Sequence, residues 1–304
     1  MSDVEPLGRH VERPARQRGA FVGVPTYAAQ VSSAGSVVFL HGVGGVRPDW
    51  SRPIAGLNDG VAFTAPTYAD LLRPEAILHR RSPQPSEHRH VDDQARLRYL
   101  DRQQDLGERV RRDGDALPAG MSWPSGLPRP GDLSTRLDQV GRYLDDAQRR
   151  DAVTHRVRPS VLMAPRPRVL IAHSLGSVVA LDLLLDPRVE LDLLITVGSP
   201  LGHEAVHGEL PVADVFPYDR VGGWLNVVHL LDPVPLGRGL HPRFPAAHDA
   251  FVPMISADVA GVEALPRLIG TAGRALTAHL DSTYLATDTV RAAIRHVWQS
   301  GVRA

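Results

Sequence analysis

The sequence contains neither cysteine nor lysine among its 304 residues. The absence of cysteine excludes disulfides, a thiol nucleophile and a cysteine-ligated zinc site. The 34 basic residues are all arginine and balance 34 acidic residues, so no net charge attracts the chain to nucleic acid or to an anionic membrane. No apolar run is long enough for a membrane span, and the polar N-terminus lacks the apolar core of a signal peptide. We therefore expect a cytoplasmic protein with no nucleic-acid partner and no membrane span.

The composition indicates a globular chain with an α/β fold. Hydrophobic residues make up 43% of it and charged residues 22%, which is enough material for a core. Residues 1–20 are predicted to be loosely attached, and residues 21–304 to form one domain. Continuous apolar runs indicate buried parallel strands, and the helical patterns between them indicate crossovers, so a mostly parallel sheet flanked by helices is expected. The predicted strands lie in 36–42, 61–66, 168–174, 191–200 and 224–233.

Residues 71–165 interrupt this regular pattern. They contain a polar helical pattern from about Val91 to Arg112, a segment rich in proline and glycine (117–131), and an amphipathic pattern from Leu133 to Ala147. Such an insertion is expected to be helical and to lie over the carboxyl-terminal edge of the sheet as a cap or lid. The alternative is a surface embellishment with no part in the chemistry.

The stretch VLIAHSLGSVVALDLLL (169–185) predicts a strand that passes into a helix through a tight turn at Ser174. This is the pattern of a nucleophile elbow, in which the strained serine needs small neighbours such as Ala172 and Gly176. The turn would expose the serine hydroxyl at the carboxyl end of the sheet, next to the free N–H groups of a helix N-terminus. Ser177 and Ser199 are weaker candidates, since one falls inside the helix and a proline follows the other.

A serine nucleophile needs a base and an acid that orients the base. In this architecture the acid follows the serine along the chain and the histidine comes last. Asp232, at the end of an apolar run and before a proline, is the predicted acid. His279 is the favoured base because it leaves room for a further strand or helix after the acid, with His248 as the main alternative. His241 lies close behind the acid, like His248, and is a further candidate, whereas His296, His229 and His173 are interpreted as structural, with His173 expected to pack beneath the turn at Ser174.

The oxyanion hole is predicted to use the backbone N–H groups of Val43 and Leu175. The glycines of HGVGG (41–45) would let the backbone approach a substrate closely. Four further residues are weaker candidates for substrate contact: Gly42, Trp50, Tyr68 and Trp123. The three aromatic residues would either line an apolar pocket or anchor the insertion. The closest approach to a metal-binding cluster, His88, His90, Asp92 and Asp93, is interpreted as solvated, and no metal or organic cofactor is expected.

The segments HGVGG, AHSLGS, GSPLG, LLDPV and HLDSTY, in this order, resemble the α/β-hydrolase superfamily, on its lipase- and esterase-like branch. The resemblance covers roughly residues 35–300 apart from the insertion, and departs from the family pattern in having Ala172 at the first glycine position of the elbow. It implies an α/β-hydrolase fold with Ser174, Asp232 and His279 as a triad, and Val43 and Leu175 as the oxyanion hole.

The expected reaction is hydrolysis of a carboxylic ester or thioester through an acyl-enzyme, with a lipophilic acyl group favoured. The alternatives are an acyltransferase or a peptidase with the same triad, and a binding protein of this fold that has lost its chemistry. The sequence does not choose the physiological substrate or the oligomeric state.

Overall fold

The computed structural model describes residues 35–76, 92–117, 134–210, 216–230, 232–235, 237–253 and 279–300. Within these ranges six strands form one sheet in the order β2-β1-β3-β4-β5-β6, and every neighbouring pair is parallel. The strands are β1 (Ser36–Leu40), β2 (Ala62–Thr64), β3 (Arg168–His173), β4 (Leu193–Val197), β5 (Trp224–His229) and β6 (His248–Val252). The predicted mostly parallel α/β fold is confirmed.

The strand order reverses between β1 and β3. From β1 the chain goes outward to β2, and it then returns past β1 to form β3 and the strands that follow. In an open α/β sheet, ligands bind beyond the carboxyl ends of the strands at such a reversal. Residue Leu40, which ends β1, is paired with Ala172, just before the end of β3. The fold therefore places HGVGG and the predicted elbow side by side at this position.

Helices cover both faces of the sheet. They are α1 (Asp93–Asp113), α2 (Ser134–Asp145), α3 (Ala147–Leu162), α4 (Leu175–Leu183), α5 (Glu204–His207), α6 (Asp281–Leu285) and α7 (Asp288–Gln299). Alternate residues of β1 illustrate the two layers: Val37 and Phe39 pack with α1 and α7, while Val38 and Leu40 pack with α2, α3 and α4. Burial on both faces explains why these strands read as continuous apolar runs.

The described helices of the predicted insertion lie against the faces of the sheet rather than over its carboxyl edge. Helix α1 is fixed near the amino end of β5, where the Gln103 amide donates to Trp224 O at 2.6 Å and accepts from Trp224 N at 2.9 Å. Helices α2 and α3 pack beside α4, where the Tyr143 hydroxyl donates to Asp182 at 2.7 Å. These helices bury apolar side chains in the two core layers, which explains their position. The predicted loose segment 1–20 and insertion residues 77–91 and 118–133 lie outside the described residues.

Candidate active site

Ser174 occupies the sharp turn between β3 and α4. Its φ of 53° and ψ of −123° make it the one non-glycine residue with positive φ in the described part of the chain. Such a backbone costs on the order of 1–3 kcal/mol and persists only where the surroundings impose it. Gly176, in the first turn of α4, has to be glycine because a Cβ there would lie 2.3 Å from the Leu40 carbonyl oxygen. The structure thus has a strained turn between a strand and a helix at Ser174, next to the strand-order reversal.

The two rival serines support the turn from inside the protein. The Ser177 hydroxyl donates to the Ser174 carbonyl at 2.6 Å and lies 2.8 Å from the Ser199 hydroxyl. Ser199 Oγ also accepts from the Leu201 N–H at 3.2 Å. Ser177 and Ser199 are 0% and 1% exposed and their hydroxyls are taken up by these contacts, so neither presents a hydroxyl to a substrate; Ser174 itself is only 5% exposed.

The structure brings Ser174, His279 and Asp232 into one chain of contacts. Ser174 Oγ lies 3.0 Å from His279 Nε2, across 105 positions of sequence. His279 Nδ1 lies 3.0 and 2.9 Å from the two carboxylate oxygens of Asp232. A carboxylate only accepts hydrogen bonds, so Nδ1 carries the imidazole proton and Nε2 is left to accept from the serine hydroxyl. This arrangement is what a nucleophile, a general base and an orienting acid require.

Asp232 is fully buried and accepts two hydrogen bonds besides the contact with His279. The Val234 N–H donates to Oδ1 at 2.8 Å, and the Tyr284 hydroxyl donates to Oδ2 at 2.5 Å. Burial, followed by the nearby Asp232 charge, raises the pKa of Tyr284 well above its usual value, so the phenol keeps its proton. Sequence reasoning missed Tyr284, although it lies in the quoted segment HLDSTY.

His173, the residue before the serine, holds the loop that carries His279. Its Nε2 lies 2.7 Å from the His279 carbonyl oxygen, and the two rings are 4.7 Å apart. Burial and then the neighbouring His279 lower the pKa of His173 well below the ordinary value. His173 is therefore neutral at neutral pH and donates from Nε2 to the carbonyl. The prediction that this histidine packs at the turn agrees with its burial.

The HGVGG loop approaches the serine closely at Gly42, where a Cβ would lie 2.8 Å from Ser174 Cβ. His41 Nδ1 lies 2.6 Å from the Gly42 carbonyl oxygen, and His41 Nε2 accepts from the Tyr68 N–H at 3.3 Å. These partners assign the proton to Nδ1, and burial lowers the pKa of His41, which keeps it neutral. In the trans peptide that follows, the Val43 N–H points opposite to the Gly42 carbonyl.

The N–H groups of Val43 and Leu175 donate to no acceptor within the described residues. Leu175 begins α4 directly after the serine, so its N–H is one of the unpaired donors of a helix N-terminus. The role of both groups as an oxyanion hole stays a prediction.

The weaker substrate-contact candidates Trp50 and Tyr68 are core residues. Trp50 stacks on Phe39 at 4.9 Å, and Tyr68 is fully buried and stacks on His41 at 3.9 Å. Their faces are taken up by these contacts, so the expected lining of an open apolar pocket is not their role. Trp123 lies outside the described residues.

The alternative bases lie elsewhere. His248 begins β6 and therefore sits at the amino edge of the sheet, opposite Ser174, where it contacts Gly107 of α1. His241 Nδ1 lies 3.1 Å from the Ala247 carbonyl oxygen, and His296 lies in α7. His229 is buried against Tyr284, with ring centroids 4.4 Å apart.

The surface around Ser174 combines an ion pair with two exposed apolar side chains. Arg47, in the loop after β1, pairs with Asp281 at 3.0 Å and so joins this loop to the start of α6. Val43 and Leu280 are 46% and 43% exposed and are neighbours, in sequence, of Gly42 and His279. A cavity of about 610 Å³ opens instead at the amino ends of the strands, beside Arg102 and Asp192, and is not part of this site.

The comparisons with known proteins add little to this geometry. No family model and no curated protein matches the chain. A solved structure of RedJ with a polyethylene glycol molecule in its active site is 13% identical, with a TM-score of 0.32, over 81% of this chain and 85% of that one. The RedJ thioesterase from the prodiginine biosynthetic pathway in Streptomyces coelicolor is 15% identical, with a TM-score of 0.33, over 88% and 99%. Similarity this low does not assign a family.

In the part of the chain that the structure describes, no helix combines the length and apolarity that crossing a membrane would require.

Proposed function

We propose that this protein is a serine hydrolase that cleaves a carboxylic ester or thioester, with Ser174 as nucleophile, His279 as general base and Asp232 as the acid that orients it. The observation that carries the proposal is the 3.0 Å contact between Ser174 Oγ, on the strained turn, and His279 Nε2, whose other nitrogen faces Asp232. An incidental serine needs neither a strained backbone nor a histidine fixed by a carboxylate.

The first half of the reaction forms an acyl-enzyme. Ser174 Oγ bonds to the carbonyl carbon of the substrate while its proton passes to His279 Nε2. The electron pair displaced onto the carbonyl oxygen is stabilised by the N–H groups of Val43 and Leu175. When the tetrahedral intermediate collapses, the bond to the alcohol or thiol breaks, and that leaving group takes the proton from His279.

The second half regenerates the serine. Water gives a proton to His279 Nε2 as its oxygen bonds to the acyl carbon, and a second tetrahedral intermediate forms at the same N–H groups. Collapse breaks the bond to Ser174 Oγ, which recovers the proton, and the carboxylic acid leaves. Asp232 keeps its negative charge throughout and stabilises the imidazolium that exists between the two transfers.

The border of the site favours an apolar acyl group. Val43 and Leu280 are exposed apolar residues that adjoin Gly42 and His279 in sequence, and a substrate that covers them removes this surface from water. A short acyl chain such as acetate would leave both side chains exposed. We therefore propose esters or thioesters of lipophilic acids as the substrate class.

A fluorophosphonate probe, which reacts with activated serines, tests the nucleophile. The folded protein is expected to be labelled, and Ser174→Ala to lose the label, whereas Ser300→Ala, at the exposed end of α7, keeps it. Labelling that persists in Ser174→Ala, or no labelling of the folded wild-type protein, would contradict the proposal.

Hydrolysis of p-nitrophenyl esters of increasing chain length tests the base and the substrate class. We expect kcat/KM to rise with chain length and to fall by about 10³-fold or more in His279→Ala. The matched variant His248→Ala should retain turnover, because His248 lies at the other edge of the sheet. Loss of turnover in His248→Ala alone would show that the base is misassigned.

A further inference from the structure

The Tyr284 hydroxyl is part of the hydrogen-bond network around Asp232. It donates at 2.5 Å to Oδ2, the same carboxylate oxygen that lies 2.9 Å from His279 Nδ1. The backbone N–H of His229 donates to the Tyr284 oxygen at 3.2 Å. The tyrosine side chain is fully buried, so no water competes for these contacts.

The direction of these hydrogen bonds is fixed by the chemistry of the partners. A backbone N–H only donates, so the phenolic oxygen accepts from His229 and its own hydrogen remains for Asp232. A carboxylate only accepts, which leaves Tyr284 no other orientation. Since its pKa is raised by burial and by the Asp232 charge, the phenol does not ionise near neutral pH.

Tyr284 and His279 therefore share one carboxylate. A short hydrogen bond from the phenol draws negative charge from the oxygen that faces the imidazole, and it holds the carboxylate plane toward Nδ1. We infer that Tyr284 is a positioning residue that sets how strongly Asp232 stabilises the protonated form of His279, and so how readily His279 passes its proton to the leaving group. This inference rests on the proposed function.

Other titratable and charged groups face the same region. His173, on β3, and His229, on β5, have pKa values lowered chiefly by burial and are neutral near pH 7. Arg47 and Asp281 neutralise each other as an ion pair at the start of α6. The Tyr284 hydroxyl is the group among these that touches the Asp232 carboxylate, so its removal takes away the contact with Asp232 and the acceptor of the His229 N–H, and leaves the charged groups in place.

The variant Tyr284→Phe removes the hydroxyl and keeps the ring. Without this donor the Asp232 carboxylate carries more negative charge on the oxygen that faces His279, and this charge favours the imidazolium. The acid limb of the kcat/KM profile should therefore move to higher pH by about 0.7 unit. We expect kcat to fall about tenfold at neutral pH, with KM changed less than about twofold. A role in stability alone would not move the pH profile.

Tyr143→Phe is the matched control. The Tyr143 hydroxyl is also buried and donates to a carboxylate, that of Asp182, at 2.7 Å, but this pair lies between α2 and α4. The control should lose stability and keep the wild-type pH profile. If Tyr284→Phe does not fold, 3-fluorotyrosine in place of Tyr284 retains the hydroxyl as a stronger donor and should move the acid limb to lower pH.

Titration of the His279 ring protons by NMR, in a Ser174→Ala background, separates this inference from the proposed function. An upward shift of the midpoint in Tyr284→Phe supports the inference, and an unchanged midpoint in folded protein overturns it even if ester hydrolysis is intact. Absence of labelling and hydrolysis in the wild-type protein would overturn the proposed function, and with it the catalytic meaning of the contact, whatever the titration shows.

Discussion

Gly198 determines how closely the side chains around Asp232 can pack. It directly follows β4 with φ of +55°, in the left-handed region that favours glycine. A Cβ at this position would lie 2.9 Å from Asp232 Oδ2, 3.1 Å from His279 Nδ1 and 3.1 Å from the Tyr284 ring. Glycine is therefore required at position 198 for two reasons: its backbone conformation is left-handed, and the side chains of Asp232, His279 and Tyr284 occupy the space that a Cβ would need.

Gly198→Ala is expected to separate Asp232 from His279 by a few tenths of an ångström and to strain the backbone. The free energy of unfolding should fall by about 1–3 kcal/mol, and kcat/KM by about 10- to 100-fold. Steady-state kinetics and urea unfolding measure the two effects. Gly60→Ala is the control: its φ of +79° imposes a similar backbone strain before β2, so it should lose stability and keep activity. Equal activity in both alanine variants would contradict this account of Gly198.

The loop after β1 is the element that would supply the second oxyanion donor. Its conformation depends on His41, which bridges the Gly42 carbonyl and the Tyr68 N–H with its two ring nitrogens. The Tyr68 hydroxyl in turn donates to the His41 carbonyl oxygen. With the Gly42 carbonyl held toward His41, the peptide cannot turn over and withdraw the Val43 N–H.

His41→Ala is expected to release this peptide and to lower kcat by about 10²-fold, near the cost of losing one oxyanion donor, while the fluorophosphonate probe still reaches Ser174. His41→Asn should recover part of the loss, because its amide nitrogen can take the place of Nδ1 and donate to the Gly42 carbonyl. Measuring kcat of both variants on the same ester tests this expectation. If the asparagine variant is no better than alanine, the hydrogen bond to Gly42 is not what positions the donor.

At the level of elements, the sequence predicted the strands whose residues are buried on both faces. The five predicted runs correspond to β1–β5. Every residue of β1, β3, β4 and β5 is buried, which leaves a continuous apolar signal, whereas β2 is a three-residue strand at the edge of the sheet and is only partly buried. Strand β6 was not predicted, since it starts with His248 and Asp249. Asp249 is satisfied there by contacts distant in sequence, accepting from the Asn226 amide at 2.8 Å and from the Leu240 N–H at 2.7 Å.

The amphipathic pattern 133–147 indicates one continuous helix, whereas the structure has two helices, α2 and α3, separated at Asp146. Asp146 leaves the helical conformation, and its side chain accepts from the N–H groups of Gln148 and Arg149, so α3 begins there. An aspartate can lie within a continuous helix or cap the start of a new one, and packing against α4 decides which of these two structures forms.

The role of Tyr284 could be predicted only once the fold was known, because its partner Asp232 lies 52 positions earlier in the sequence.

On the scale of the whole molecule, arginine is the only cation besides histidine, and the structure uses its several donors inside the protein. Arg150 contacts both oxygens of Asp182, at 3.0 and 2.6 Å, and Arg168 donates to carbonyl oxygens at Ala164 and Glu190. A lysine ammonium could not make the same forked contacts. The guanidinium group is not deprotonated in proteins, so the pH response of stability comes from other groups.

Five histidines have pKa values lowered by burial: His41, His173, His229, His248 and His296. In the unfolded chain each binds a proton near the ordinary value of about 6.5, whereas in the folded protein each binds it only at lower pH. The unfolded state therefore holds more protons below about pH 6.5, and the free energy of unfolding must fall as the pH decreases through this range. Asp70 and Asp186, whose pKa values are lowered by arginine hydrogen bonds, act only in a more acidic range.

We expect the free energy of unfolding to fall by about 2–5 kcal/mol between pH 7.5 and 5.5, as measured by urea unfolding. His248→Gln should make this decline shallower, because it removes one of the five groups from both states. His155→Gln, on the exposed side of α3, is the control and should leave the slope unchanged. Stability that is constant or rises toward pH 5.5 would mean that the buried histidines take up protons in the folded protein. The neutral His41 and His173 that hold the two loops beside Ser174 would then be charged, and the contacts argued for them would not survive at that pH.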